Sequence, residues 1–199
     1  MKYGMILKLT QKFGKSVTGA KRFKIKVGDL EKLKKLKNAM KAKIKHKLRL
    51  SEAGSDFEGM LRKEKVKLPG VKTRRINYTK RIPEETEKLR KEFNSTEKKK
   101  FLKDLSKDRE KLKKAGLSDE DILDMKEEGL VPDGWNVHHK LPLDDGGNNS
   151  PDNLVLVKNE PYHKTITNYQ NSFSRQLKPG ETKPVDWPIP EGSIYPPGK

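Results

Sequence analysis

The chain has no cysteine at all, so neither a disulfide framework nor a Cys-x-x-Cys zinc clamp is open to it. Any metal it holds must be bound by His, Asn, Asp or Glu. It is also poor in apolar residues, at 31% hydrophobic and 7% aromatic against 37% charged, so its 199 residues are not expected to form one compact core. One domain plus an appendage, or two small domains, is the expected organisation. Long hydrophobic runs are missing too. The opening Met1-Lys-Tyr-Gly-Met-Ile-Leu is broken at once by Lys8 and Lys12, and no later stretch could span a bilayer, so a soluble protein without a signal peptide is expected. Such a protein would be cytoplasmic or would leave the cell by a specialised delivery system.

Negative charge is scarce at the front. Residues 1–75 carry 24 Lys and Arg against 6 Asp and Glu, an excess of 18, whereas residues 76–199 carry 22 of each. The whole net charge of +18 therefore sits in the first third, which is suited to attract polyanions, nucleic acid first.

Periodicity divides the chain into three expected parts. In a strongly basic segment, 1–75, residues 22–27 alternate as a short strand. Leu30, Leu33, Leu36, Met40, Ile44 and Leu48 then draw one apolar stripe along a lysine-rich helix starting near Asp29. That helix reads as an exposed helix with one packed face, as a nucleic-acid tether or as a membrane-surface helix. His46 within it reads as a solvated side chain. The Leu68-Pro69-Gly70 turn signal marks the boundary.

Residues 76–130 read as a helical support layer. One helix runs from Pro83 to Phe93, a second is capped by Asn94 with Glu97, a third by Ser118 with Asp121, and Gly116 and Gly129 stand at C-terminal caps. Residues 131–199 read as strand 135–139, a loop over 142–152, strand 153–158, a helix over 159–173, and a proline-rich end that is either a docked strap or a loose tail.

Three of the four histidines fall in this last part, in Trp135-Asn136-Val137-His138-His139-Lys140-Leu141-Pro142-Leu143-Asp144-Asp145-Gly146-Gly147, followed by Asn153-Leu154-Val155-Leu156 and then His163. Imidazole is the side chain best able to accept a proton from water near neutral pH, and it also ligates divalent ions. A paired histidine with a third nearby suits activation of water beside a metal ion.

This order and these residues resemble the HNH nucleases, the ββα-metal or His-Me-finger superfamily, and within it the nuclease domains of bacterial toxins of colicin, pyocin and polymorphic type. The resemblance implies an α+β fold, a mainly helical chain with a C-terminal ββα-metal finger and a basic N-terminal extension. It implies that His138 and His163 are metal ligands, that His139 is the general base, and that Asn153 ties the loop and keeps the base oriented. Lys140 and Lys164 lie near enough in sequence to contact phosphate.

Colicin-type members carry a further histidine at the position of Thr167, so the third ligand is expected to be Asn168 or water. Asp144 and Asp145 read as turn residues rather than ligands. One divalent ion is implied: magnesium foremost, with manganese, nickel or zinc as alternatives, imidazole ligation tilting affinity toward the later transition metals. The implied activity is hydrolysis of DNA phosphodiesters with little sequence preference, in an antibacterial toxin with a cognate immunity protein and no membrane insertion. The rivals are a basic nucleic-acid-binding protein with an inactive HNH fold, a phage or mobile-element nuclease, and an RNase.

Overall fold

The computed structural model describes residues 56–198. The expected strand at 22–27, the lysine-rich helix and His46 lie outside those residues. Two three-stranded sheets and five α-helices make up the described part. β1 (Asp56–Leu61) and β2 (Glu64–Thr79) form a hairpin. The helices α1 (Pro83–Glu92), α2 (Lys98–Leu105), α3 (Arg109–Lys114) and α4 (Asp119–Glu127) follow. Then come β3 (Trp135–His139), β4 (Leu154–Lys158), α5 (Lys164–Ser174), β5 (Thr182–Ile189) and β6 (Ile194–Tyr195). One sheet has the order β1-β2-β5, the other β3-β4-β6.

The expectation of a mainly helical chain is overturned by these strands. Most of the discrepancy is β2, sixteen residues long. It runs straight through the boundary expected at residue 75. The Leu68-Pro69-Gly70 signal forms a bulge within the strand: Phe57 pairs with Leu68 while Asp56 pairs with Lys72, so the intervening residues swell out of the ladder. The Gly70 N–H finds its acceptor in the Asp56 carboxylate at 3.1 Å. The proline-rich end is a docked strap. β5 pairs antiparallel with β2 alone, and an edge strand tolerates Pro184 and Pro188 because one side of it needs no ladder donors.

Two helix expectations also change. Asn94 does not cap a new helix, because Phe93–Glu97 forms a π-helical turn joining α1 to α2. Arg109–Lys114, unassigned by periodicity, is helical behind an Asp108 cap. The Ser118/Asp121 capping box is present as expected.

β4 explains how the layers combine. In Leu154-Val155-Leu156-Val157 every side chain is buried, and the two-residue period of a strand sends alternate ones opposite ways. Leu154 and Leu156 join Phe101, Leu102, Leu112, Ile122 and Met125 of the helical layer. Val155 and Val157 join a second core built by Leu68, Tyr78 and Trp187 of the first sheet with Ile166 and Phe173 of α5. β3 is held on one edge of this doubly buried strand, and α5 packs on one of its faces.

Candidate functional site

The site grows out of β3, the loop after it and the start of α5. β3 and β4 are antiparallel with His138 opposite Val155 and His139 opposite Leu154, so the two histidines stand at the end of an anchored strand. Alternation along β3 gives adjacent residues different surroundings. His138 is buried, at 8% exposure, and its ring meets that of His163 edge to face with centroids 5.3 Å apart. The His139 ring lies against Phe93, centroids 4.6 Å apart. All three imidazoles line one cavity of about 270 Å3, together with Arg90, Asp144 and Gln170. A second cavity of about 460 Å3 adjoins it across Phe93, Asn94, Val137 and His163.

Burial sets the charge state of these rings. It drives the His138 pKa well below that of an ordinary imidazole, and the neighbouring His163 and His139 add to the effect. His139 is lowered by burial too, with its bond to Asn149 opposing and Arg90 assisting. His163 is lowered by burial. All three are therefore neutral at pH 7, the form that ligates metal or accepts a proton. Nε2 of His138 is buried without a hydrogen-bond partner. An unsatisfied buried nitrogen is costly and suits a ligand supplied from outside the chain.

The tautomer of His139 follows from its neighbours. Asn149 Nδ2 donates to the Leu89 carbonyl at 3.0 Å, which fixes which end of that amide is which. Asn149 Oδ1 is then the atom 3.0 Å from His139 Nε2, and an amide oxygen only accepts. Nε2 must carry the proton, which leaves Nδ1 with the free lone pair.

Asn153 lies outside the cavity and builds the loop. It is fully buried, its Oδ1 accepts from Leu141 N at 2.8 Å, and its Nδ2 donates to Leu141 O and Asn148 O at 2.9 and 2.8 Å. Asn153 thus ties the loop, whereas Asn149 is the residue that bonds His139. The loop is further closed by Gly147, where an added Cβ would lie 2.0 Å from the Leu141 carbonyl oxygen. Asp145 accepts from Thr79 N at 2.7 Å, and Asp144 accepts from Lys80 Nζ at 3.1 Å, tying the loop to the end of β2.

Of the two candidates for a third ligand, Asn168 and water, the first stands away from the histidines. Asn168 lines neither cavity, and its amide donates to the Met60 carbonyl at 3.1 Å. At about 100° per residue it lies some 140° around the helix from His163, whereas Gln170 returns to nearly the same bearing. Thr167 lines neither cavity either. Asp144, read as a turn residue, does line the first cavity, with its carboxylate held by Gln170 Nε2 at 3.0 Å and by Lys80. Among the described residues no group of three or more His, Asp or Glu side chains has the geometry to hold a metal ion.

Lys140 and Lys164 line neither cavity. The Lys140 ammonium is partly buried and its pKa is lowered for that reason, while Lys164 pairs with Glu160. Among the described residues the cation lining the first cavity is Arg90 on α1, and Lys98 lines the second. No spacing signal marks Arg90 in the sequence, since only packing of the helical layer on β3 brings it there.

No family model matches the chain, and no solved structure matches it. The uncharacterized protein YhhZ of Escherichia coli (strain K12) is 46% identical over 145 residues, 73% of this chain and 36% of that protein. The chain thus spans about a third of the length of that relative. Among the described residues no helix is long and apolar enough to cross a membrane.

Proposed function

We propose that the chain is a metal-dependent endonuclease of HNH type that hydrolyses phosphodiester bonds in DNA with little sequence preference. We assign it to antibacterial toxins, countered by an immunity protein and carried out of the cell by a specialised delivery system. One observation carries the catalytic reading: three imidazoles held neutral by burial share a cavity, and His139 is pinned in the tautomer whose Nδ1 is free. The toxin role and the preference for DNA rest on the sequence resemblance.

The donor set fits a divalent ion. His138, with its unpartnered buried Nε2, and His163 beside it would hold the ion, leaving positions open for water and phosphate. When bound, the ion would supply positive charge to the phosphate oxygens and to the departing sugar oxygen. The remaining steps belong to the chain. His139 Nδ1 takes a proton from a water whose oxygen attacks phosphorus, while the phosphorus–oxygen bond to the leaving sugar breaks. Asn149 keeps the proton on Nε2 and so keeps the base aimed. Arg90 sets a fixed cation at the cavity, where the scissile phosphate carries its charge. Magnesium is the first choice of metal, with manganese, nickel and zinc as competitors.

The test is plasmid cleavage across those four ions, with calorimetric metal titration of the same proteins. His139→Ala is expected to abolish cleavage while binding metal as the wild type does. His163→Ala is expected to lose both. Equal loss of metal in the two variants would overturn the assignment of roles, and an uncut plasmid under every ion would leave a nucleic-acid-binding protein with an inactive site.

A further inference from the structure

The two cavities beside the histidines are walled by two rows of side chains that run together. Alternation along β3 sends Trp135, Val137 and His139 to one face, and all three meet the helical layer. Trp135 and Val137 pack on its core, and the His139 ring lies against Phe93. His139 lines the first cavity, Val137 both and Trp135 the second. The other row lies on the continuous run from α1 through the π-helical turn into α2. There Arg90 lines the first cavity, Asn94 both and Lys98 the second, four residues apart each time. Four residues of strand cover about 13 Å and eight of helix about 12 Å, so the rows keep pace. Phe93 and His163 line both cavities as well, so a polymer lying in one reaches the other.

The second cavity joins the two features that hold an unpaired nucleotide, an aromatic face and a free cation. Trp135 is half-buried, so part of its indole is open to a ligand. Lys98 Nζ stands 5.7 Å from the centre of the Phe93 ring and donates to Asn94 Oδ1 at 3.4 Å; among the described residues it has no acidic partner. Asp133 lines the cavity too, two residues before Trp135, and repels a phosphate from that end, which leaves the phosphate to Lys98. The volume of about 460 Å3 lies within the roughly 300–1,000 Å3 of small-ligand sites.

We infer that the second cavity seats a nucleotide flanking the scissile phosphate, unpaired, with its base stacked on Trp135 and its phosphate on Lys98. This rests on the nucleic-acid reading above and adds the course of the strand, which follows the row from Arg90 to Lys98. Arg90 meets the phosphate at the histidines, and Lys98 meets one further along the same strand. The base is out of any duplex, because it can lie flat on an indole only after leaving its own stack.

The test is fluorescence anisotropy of two short labelled strands, a single-stranded DNA and its abasic counterpart, which keeps every phosphate and has no bases. Both are titrated with the full chain in EDTA over a range of salt concentrations; the cations of residues 1–55 act on phosphates, which the two strands share. Trp135→Leu is expected to bind the DNA strand on the order of tenfold more weakly and the abasic strand as the wild type does. Trp135→Phe keeps an aromatic face and is expected to recover most of the lost affinity. Lys98→Gln is expected to weaken both strands by the same factor and to lower the salt slope by about 0.7, the share of one phosphate on a single strand. Of the two tryptophans Trp187 is completely buried, so quenching of indole emission by the DNA strand, and not by the abasic one, is expected to report Trp135.

A Trp135→Leu variant equal to wild type on the DNA strand overturns the inference, and so does an equal loss on both strands, the mark of a structural role. A Lys98→Gln slope equal to wild type removes the phosphate contact and overturns it too. A wild type that cuts plasmid but binds no single strand overturns the inference and leaves the nuclease reading standing. A base-dependent loss at Trp135 in a protein that never cuts under any ion sinks the nuclease reading and leaves the nucleotide seat in place.

Discussion

At the scale of single residues, the proposed chemistry depends on keeping imidazoles neutral in a confined space. Burial lowers the pKa of His138, His139 and His163 in the folded protein relative to the unfolded chain. The unfolded state therefore binds more protons as pH falls, and stability falls with it. The loss is expected to begin as pH drops below the ordinary imidazole value of about 6.5 and to be complete below the folded values. Thermal melting across that window, repeated on His138→Gln, should show a shallower acid limb in the variant; an identical limb would contradict the burial argument. Asn149→Leu removes the acceptor that fixes the His139 tautomer, and its cleavage rate is expected to drop by about ten- to a hundredfold with metal affinity retained, read as kcat beside a metal titration. His138, His139 and His163 were readable as a group because three of the four histidines cluster in one stretch, and the fold brings them to one cavity. The sequence hid Asn149, Arg90 and Asp144, because an asparagine or aspartate in a Gly-rich loop reads as turn chemistry and an arginine on a helix reads as solvated surface.

At the scale of elements, the hairpin shows why pattern reading stops short. Its turn is Arg-Lys and not Asn-Gly, its strands are dense in charge, and its bulge carries a Pro-Gly pair that ordinarily ends a strand. Each of these local signals argues against β2, and the strand forms because Leu68, Val71, Ile76 and Tyr78 bury against α5 and β5. The capping box of α4 was readable because it is purely local, a serine and an aspartate three apart. Gly59 is where hairpin and site helix meet. Gly59→Ala must push Thr165 away, and overpacking of this kind costs about 1–3 kcal/mol. Urea denaturation is expected to show that loss together with reduced cleavage, since the backbone that yields is the one beside His163. Unchanged stability would mean that the hairpin does not press on α5.

At the scale of the whole molecule, the strands that were hardest to read hold the site in place. Trp187 of β5 is completely buried, touches the rings of Tyr78, Tyr169 and Phe173, and donates from Nε1 to the Lys140 carbonyl at 2.6 Å, next to His139. Trp187→Ala is expected to cost about 3–5 kcal/mol in denaturant titration and to reduce cleavage with it, since the cavity left behind opens directly under β3. A variant that loses stability yet cuts at the wild-type rate would show that the anchor to Lys140 does not position the base. The same architecture bears on the order of synthesis. Every residue given a role at the cavity precedes Ser174, whereas β5 completes one sheet and β6 the other from chain that follows it. A polypeptide still emerging from the ribosome thus holds all the cavity's histidines before the frame that aligns them exists, and the nucleolytic capacity proposed for them would wait until translation has passed Tyr195.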